Sequence, residues 1–180
     1  YHLWLRPGTP FLREWGGLRR FNRWERAILT DSGGFQAWSL SGIRKIDDEG
    51  ITFASHLDGS RLRFTPDSVL EAQRDIGADI IMALDECTPS DADVPTATLS
   101  WERTLRWTRH MAEAWHRDPT AHGHRQLLFP IVQGALHAFP DAVAVGTNHH
   151  AAAHGRVVGQ LGAQGGLVVP RAEVGGAGGQ

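Results

Sequence analysis

Three short apolar runs, each ending in a cluster of polar residues and separated by helical stretches, constrain this chain more than any other feature. Ala27-Ile28-Leu29-Thr30 reads as a short buried strand and runs straight into Asp31-Ser32-Gly33-Gly34-Phe35-Gln36. Asp79 to Leu84 reads as a second strand, ending in Asp85-Glu86-Cys87-Thr88-Pro89. Gln126 to Val132 reads as a third, ending in Gln133-Gly134. Between the first two, Pro66 follows the capping residue Thr65, and Val69, Leu70, Gln73 and Ile76 keep helical spacing. Between the second and third, residues 95–117 fit a long helix whose apolar side is Leu99, Leu105, Trp107, Met111, Ala114 and Trp115. Strand, polar loop and helix in repeating order imply parallel strands and an α/β fold. Polar groups just past the C-terminal ends of such strands are where barrel and open-sheet enzymes keep their sites.

The remaining elements are simpler. Tyr1 to Leu5 reads as a strand stopped by the turn Arg6-Pro7-Gly8. Residues 43–64 read as a β-hairpin: Ile43 to Ile46, a turn near Asp47 to Gly50, Ile51 to Leu57, and a tight turn at Asp58-Gly59. Residues 11–26 interleave Arg13, Arg19, Arg20, Arg23 and Arg26 with Trp15, Phe21 and Trp24. That stretch reads first as a solvated face with buried aromatics, and second as a surface that meets RNA phosphate.

Composition narrows the classes. At 180 residues the chain is one domain or part of a larger one. A net charge of −2 means that a nucleic-acid partner needs a local basic patch. The single cysteine, Cys87, excludes an internal disulfide and a Cys-rich zinc site, and fits a reducing, cytoplasmic setting. No apolar run reaches the length of a membrane span, so no membrane partner is expected. The chain opens on Tyr1 in mid-element, and is expected to start inside a domain.

Residues 1–139 are expected to carry the folded part, and residues 140–180 a Gly/Ala-rich tail. After Phe139 no Phe, Trp, Tyr or Ile remains, so the tail has little apolar area to offset its ordering entropy. It is expected to be disordered, or to be read in a shifted frame. Translating its nucleotides in the other two frames tests the second idea. His149, His150 and His154 invite a metal reading, but no cysteine or carboxylate stands beside them, and no metal is expected in this chain.

The three polar loops together suit a flat polar ligand. Asp31 and Ser32 offer a carboxylate and a hydroxyl, and Gly33 and Gly34 let a ligand approach the backbone. Asp85 and Glu86 are paired acids beside the Cys87 thiol, and Gln133 and Gly134 add an amide and an open backbone. A guanine edge matches this set. One carboxylate can accept its N1–H and its amine, an amide or backbone N–H can donate to O6, and Phe35 can border the ring. A sugar or an amino acid would also use carboxylates and glycines. Each loop also has a plainer reading: Asp31 as a turn residue, Asp85-Glu86 as helix-start acids, Cys87 as a small buried residue, Gln133-Gly134 as a strand end.

The strings YHLWLRPG, ILTDSGGFQ, SLSGIRKIDDEGITFASHLDGS, TPDSVLEAQRDIGADIIMALDECTP, ERTLRWTRH and IVQG follow one another from Tyr1 to about Gly134. In order and spacing they resemble the tRNA-guanine transglycosylases. The resemblance implies a partial (β/α)8 TIM-type barrel with a β-hairpin insertion, and zinc in the full-length family. It implies exchange of guanine at the tRNA wobble position; the DECTP wording resembles the bacterial type, which inserts preQ1 in queuosine biosynthesis. By the same resemblance Asp31 is the proton acceptor, Asp31, Ser32, Gly33, Gly34 and Phe35 line the base pocket, and Asp85 reads the N1–H and amine. Cys87 is then a pocket wall, Gln133 with Gly134 faces the base carbonyl, and the full-length protein is a homodimer.

The chain also departs from the pattern. The family's nucleophilic aspartate and its three zinc cysteines have no counterpart here, and GIVQGG is replaced by Pro130-Ile131-Val132-Gln133-Gly134-Ala135. A carboxylate that traps C1′ of the ribose is needed for the retaining exchange, and an acid–base group must handle the base proton. The target nucleotide must be splayed out of its loop. The expectation is therefore a chain that folds poorly alone, with little or no exchange activity. The rival expectations are a purine-binding module, a scaffold piece without function, and an archaeal-type enzyme acting elsewhere in tRNA.

Overall fold

A computed structural model of the chain describes residues 1–39 and 44–135, and the strand backbone of residues 157–158, 160–161 and 167–168. In chain order, α1 (Thr9–Glu14) and α2 (Leu18–Phe21) precede β1 (Leu29–Thr30) and α3 (Gly34–Ser39). Then come β2 (Arg44–Asp47), β3 (Gly50–Ala54), β4 (Arg61–Phe64), α4 (Pro66–Ile76) and β5 (Ile80–Met82). The long α5 (Val94–Arg117) leads to β6 (Thr120–Ala121), β7 (His124–Arg125), β8 (Leu127–Phe129) and β9 (Ile131–Val132).

The three strands read from the sequence form one parallel sheet, in the order β1-β5-β8. Leu29 and Thr30 lie opposite Ile80 and Ile81, and Ile80 to Met82 lie opposite Leu127 to Phe129. All three loops therefore leave the same end of the sheet. This is the α/β architecture that the strand–helix order implies.

Both helical crossovers start where the side chains dictate. Thr65 Oγ1 accepts the Ser68 N–H at 3.1 Å, and Ser68 Oγ accepts the Thr65 N–H at 2.8 Å, a reciprocal cap that starts α4. Gly77 ends that helix in the left-handed region at φ 73°. Asp93 caps α5 by accepting the Thr96 N–H at 3.0 Å. The acids Asp85 and Glu86 are thus not the helix start.

Helices α4 and α5 bury Val69, Leu70, Trp107, Met111 and Trp115 against Ile81, Leu84 and Leu128. Gln73 is buried among them and ties helix to sheet. Its Oε1 accepts the Met82 N–H at 2.9 Å and the Thr30 hydroxyl at 3.0 Å, and its Nε2 donates to the Met82 carbonyl at 2.9 Å. At the opposite end from the loops, the Asp79 carboxylate accepts from Arg19 Nη2 at 2.7 Å and from the Ile28 N–H at 2.7 Å. Arg19 is thereby a tether for the first segment.

Several expectations are corrected. Tyr1 to Leu5 is helical, not a strand: the Leu5 N–H donates to the Tyr1 carbonyl at 3.1 Å. Tyr1, Trp4 and Leu5 stand at i, i+3 and i+4, and the rings of Tyr1 and Trp4 pack on Phe64. The 43–64 hairpin is a three-stranded antiparallel sheet, β2-β3-β4, because Arg61–Phe64 pairs back onto β3; Ile43 lies outside the described residues. Leu29 is 58 % exposed, since β1 is the edge of its sheet. Leu99 lies on the open side of α5, and the helix buries Ser100 and Thr104 instead. Pro130 splits the third strand into β8 and β9.

In residues 11–26 the aromatics are not buried. Phe11, Trp15, Phe21 and Trp24 are exposed, with Phe11, Trp15 and Phe21 stacked edge-on or tilted within 6 Å of one another. The segment is too short and too basic to bury its rings, so they cover each other.

Beyond β9, Val157–Val158 pairs antiparallel with that strand, and Gln160–Leu161 with Leu167–Val168. The expectation for the rest of 140–180, and the cluster His149, His150 and His154, lie outside the described residues. Among those residues no helix is long and apolar enough to cross a membrane.

Candidate functional site: a carboxylate held between three loops

The loop after β1 turns at once. The Asp31 carboxylate accepts the Ser32 N–H at 2.8 Å, and Gly33 takes φ 83°, a left-handed conformation in which glycine carries no Cβ penalty. Gly34 then opens α3. A Cβ there would lie 2.7 Å from the Asp85 carbonyl oxygen, so the second glycine is required by a close approach between loops. The two glycines are needed for different reasons.

Ser32 is 5 % exposed, and its hydroxyl is the bridge. It accepts the Gly34 N–H at 3.2 Å and donates to Asp85 Oδ1 at 3.3 Å. From the third loop, Gln133 Nε2 donates to Asp85 Oδ2. The Cys87 thiol reaches the same oxygen at 3.8 Å. Asp85 is 4 % exposed, so this carboxylate is desolvated and held by donors from all three loops.

An ionised carboxylate accepts about four hydrogen bonds. Ser32 donates to Oδ1, and Gln133 and the Cys87 thiol to Oδ2, so both oxygens act as acceptors toward the space between the loops. Gln133 keeps a second amide N–H for an acceptor. Asp31 and Phe35 are exposed at the mouth, and Phe35 lies 5.9 Å from the Trp38 ring. The structure thus brings Ser32, Gly33, Gly34, Asp85, Cys87 and Gln133 together, with Asp31 and Phe35 at the rim and Gly134 half-buried after Gln133.

The same chemistry carries an unambiguous family match. The family described as queuine tRNA-ribosyltransferase matches residues 1–155. The chain belongs to this family. Its members are the tRNA-guanine transglycosylases, glycosyltransferase-type enzymes, as the motif strings imply. A protein of Ruminiclostridium cellulolyticum named queuine tRNA-ribosyltransferase is 52 % identical over 137 residues, 76 % of this chain and 35 % of its own length. The protein of that name from Acetivibrio thermocellus is 51 % identical over the same shares. That from Solibacter usitatus is 49 % identical over 140 residues. This transglycosylase chain spans about a third of the length of the relatives it matches.

One departure from the family strings has a structural consequence. Ala135 stands where the family string has its last glycine, and its φ is 50°, in the left-handed region. The backbone keeps a glycine's conformation without a glycine.

Three residues of α5 that were not singled out from the sequence, Ser100, Arg103 and Thr104, also serve this site. They grip Glu86, next to Asp85. Thr104 Oγ1 accepts its N–H at 3.0 Å, Ser100 Oγ donates to its carbonyl at 3.0 Å, and Arg103 forms an ion pair with its carboxylate. Burial alone lowers the Arg103 guanidinium, yet its bonds to Glu86 and Asp48 prevail and hold it above the ordinary arginine value. The signal was present: Ser100 and Thr104 are polar residues at core positions of an amphipathic helix.

Among the described residues no group of three His, Cys, Asp or Glu side chains could hold a metal ion.

Proposed function

We propose that this chain carries the base-reading part of a tRNA-guanine transglycosylase that exchanges wobble guanine in tRNA for preQ1 in the cytoplasm. The observation that carries the reading is Asp85: a buried carboxylate on which donors from all three loops converge, Ser32 at Oδ1 and Gln133 and Cys87 at Oδ2. Guanine and preQ1 both present an N1–H and an amine side by side, and adenine does not. In this reading Gln133 and the Gly134 backbone meet the base carbonyl, Phe35 borders the ring, and Cys87 is a wall. Asp31, exposed at the mouth, takes and returns the base proton.

The rest of the enzyme is part of the same proposal. β1, β5 and β8 are read as an arc of a (β/α)8 barrel, with the β2-β3-β4 sheet as its insertion. The ribose-attacking carboxylate and the zinc set are assigned to the full-length protein. Breaking the glycosidic bond builds positive charge on the ribose, which that carboxylate traps at C1′ while guanine leaves. The protein is read as a homodimer, and the exposed rings of Phe11, Trp15, Phe21 and Trp24 support this.

Calorimetric titration of the chain with 7-deazaguanine and with adenine tests the reading, beside a guanine-exchange assay on tRNA. Binding of the first purine alone, with little exchange, is expected. Asp85→Asn replaces one acceptor by a donor and should cost about 1–3 kcal/mol, a loss of about 5- to 150-fold. Equal affinity of wild type and Asp85→Asn would refute the assignment. Exchange at the rate of a full-length relative would refute the division of the site.

A further inference from the structure

We infer that Ser100, Arg103 and Thr104 of α5 are positioning residues for base recognition, acting on Asp85 through Glu86. The inference rests on the base-pocket reading above and adds what holds the pocket in register.

The three residues stand at i, i+3 and i+4, on one helix face. Together they hold Glu86 at every polar group: Thr104 at the N–H, Ser100 at the carbonyl, Arg103 at the carboxylate. Ser100 and Thr104 are buried, and the side chains of Arg103 and Glu86 are 17 % and 15 % exposed. Helix α5 needs none of these groups for its own hydrogen bonding.

The ion pair does two things. It turns the Glu86 charge toward α5 and away from Asp85, its neighbour in the chain. Without Arg103 the orphaned Glu86 charge would repel that of Asp85 and weaken its ionised form. A protonated Asp85 could no longer accept both base donors. The ion pair also fixes the backbone through which Asp85 and Cys87 project. Arg103 further donates to Asp48 Oδ1 at 3.4 Å, Arg106 donates to the same oxygen at 2.8 Å, and Trp107 Nε1 donates to the Asp48 carbonyl at 2.7 Å. One helix face thus ties the β2–β3 turn to the pocket loop.

Cys87 makes this testable without a ligand, because it is the chain's single cysteine and lies two residues from Asp85. The full chain is alkylated with iodoacetamide, as wild type and as Arg103→Met, Arg103→Lys and Arg103→Met/Glu86→Gln, with the thermal midpoint followed in parallel. At pH about 10, where an ordinary thiol is ionised and the rate reads access rather than thiolate fraction, Arg103→Met should raise the Cys87 rate about tenfold with a midpoint shifted by only a few degrees. Arg103→Lys, which keeps the charge, and the double variant, which removes the orphaned acid, should return the rate toward wild type. An unchanged rate in Arg103→Met overturns the inference. So does a rise that the double variant fails to reverse, which marks plain loss of packing. Protection of Cys87 by 7-deazaguanine is the separate readout. Its absence in wild type sinks the base-pocket reading, while the alkylation rates still decide the role of Arg103.

Discussion

Substitution of Gly34 by alanine isolates the close approach on which the site depends. The new Cβ would sit 2.7 Å from the Asp85 carbonyl oxygen, and 3.4 Å from both Asp85 Oδ1 and Ser32 Oγ. Ordinary carbon–oxygen contacts begin near about 3.3 Å, so the two loops must part by roughly 0.6 Å. The obstacle is backbone, and cannot rotate away. The same parting stretches the Ser32–Asp85 contact, now 3.3 Å, to about 3.9 Å, beyond hydrogen-bonding range.

The terms have opposite signs. Overpacking costs about 1–3 kcal/mol, and the lost hydrogen bond about 1 kcal/mol. Alanine in place of glycine at the start of α3 returns up to about 1 kcal/mol of helix propensity. The net expectation is destabilisation by about 1–3 kcal/mol, read by urea denaturation. Affinity for 7-deazaguanine should fall with it, because Asp85 loses the donor that sets its Oδ1. Ser32→Ala separates the two effects: it removes the bridge without the clash, and should cost binding more than stability. If Gly34→Ala matches wild type within about 0.5 kcal/mol and binds the purine unchanged, the close approach does not organise the site.

Ala135→Gly removes the left-handed strain at φ 50° and should stabilise by about 0.5–1 kcal/mol after the entropy cost of glycine, measured as a rise in the urea midpoint. Asp75 is nearly buried, and burial raises its pKa against the pull of Arg13. The folded state therefore holds its proton more tightly, so ionisation at neutral pH costs stability, and that cost fades as pH falls through the raised folded pKa and is gone below about 3.9. Asp75→Asn should be more stable than wild type at pH 7, with the gap closing in acid; a gap that widens in acid would reverse the sign. Asp47 shows the opposite case: its hydrogen bond from Arg63 holds its pKa down to about 2. Its contribution is present above about 3.9 and is lost as pH falls through about 2, so Asp47→Asn should flatten the acid melting curve in that window.

The parallel sheet was legible because its strands carry their polar loops in sequence, and both crossover helices carry their caps in the adjacent residues. Tyr1 to Leu5 was misread because so short an apolar run fits either period, and only the ring contacts of Tyr1 and Trp4 with Phe64 choose between them. Residues 43–64 were read as one hairpin with a further turn at Asp58-Gly59; Arg61–Phe64 alternates as a strand does, but its pairing with Ile51–Ala54 is a tertiary fact. The exposure of Leu29 follows from edge position, which a linear sequence does not state. At the site the residue types were legible, but the connection was not. No spacing rule predicts that Ser32 reaches across 53 positions to Asp85.

That bridge explains why the loop motif is stricter than turn chemistry alone requires. A turn would accept many residues after Asp31. Here Ser32 must be small enough to be buried and must donate, Gly33 must be left-handed, and Gly34 must admit a carbonyl at contact distance. The requirements on Ser32 and Gly34 come from Asp85, in the loop after another strand, and that on Gly33 from the turn itself. Asp85 in turn depends on Gln133 from the third loop and, through Glu86, on α5. A change in any one loop is therefore felt at the same carboxylate. Coupling of this kind is measurable: Gln133→Ala and Ser32→Ala should be non-additive for purine binding, by more than about 0.5 kcal/mol, because both donors set one acceptor. Strict additivity in that double-mutant cycle would mean that the loops act separately, and that Asp85 is not where they meet.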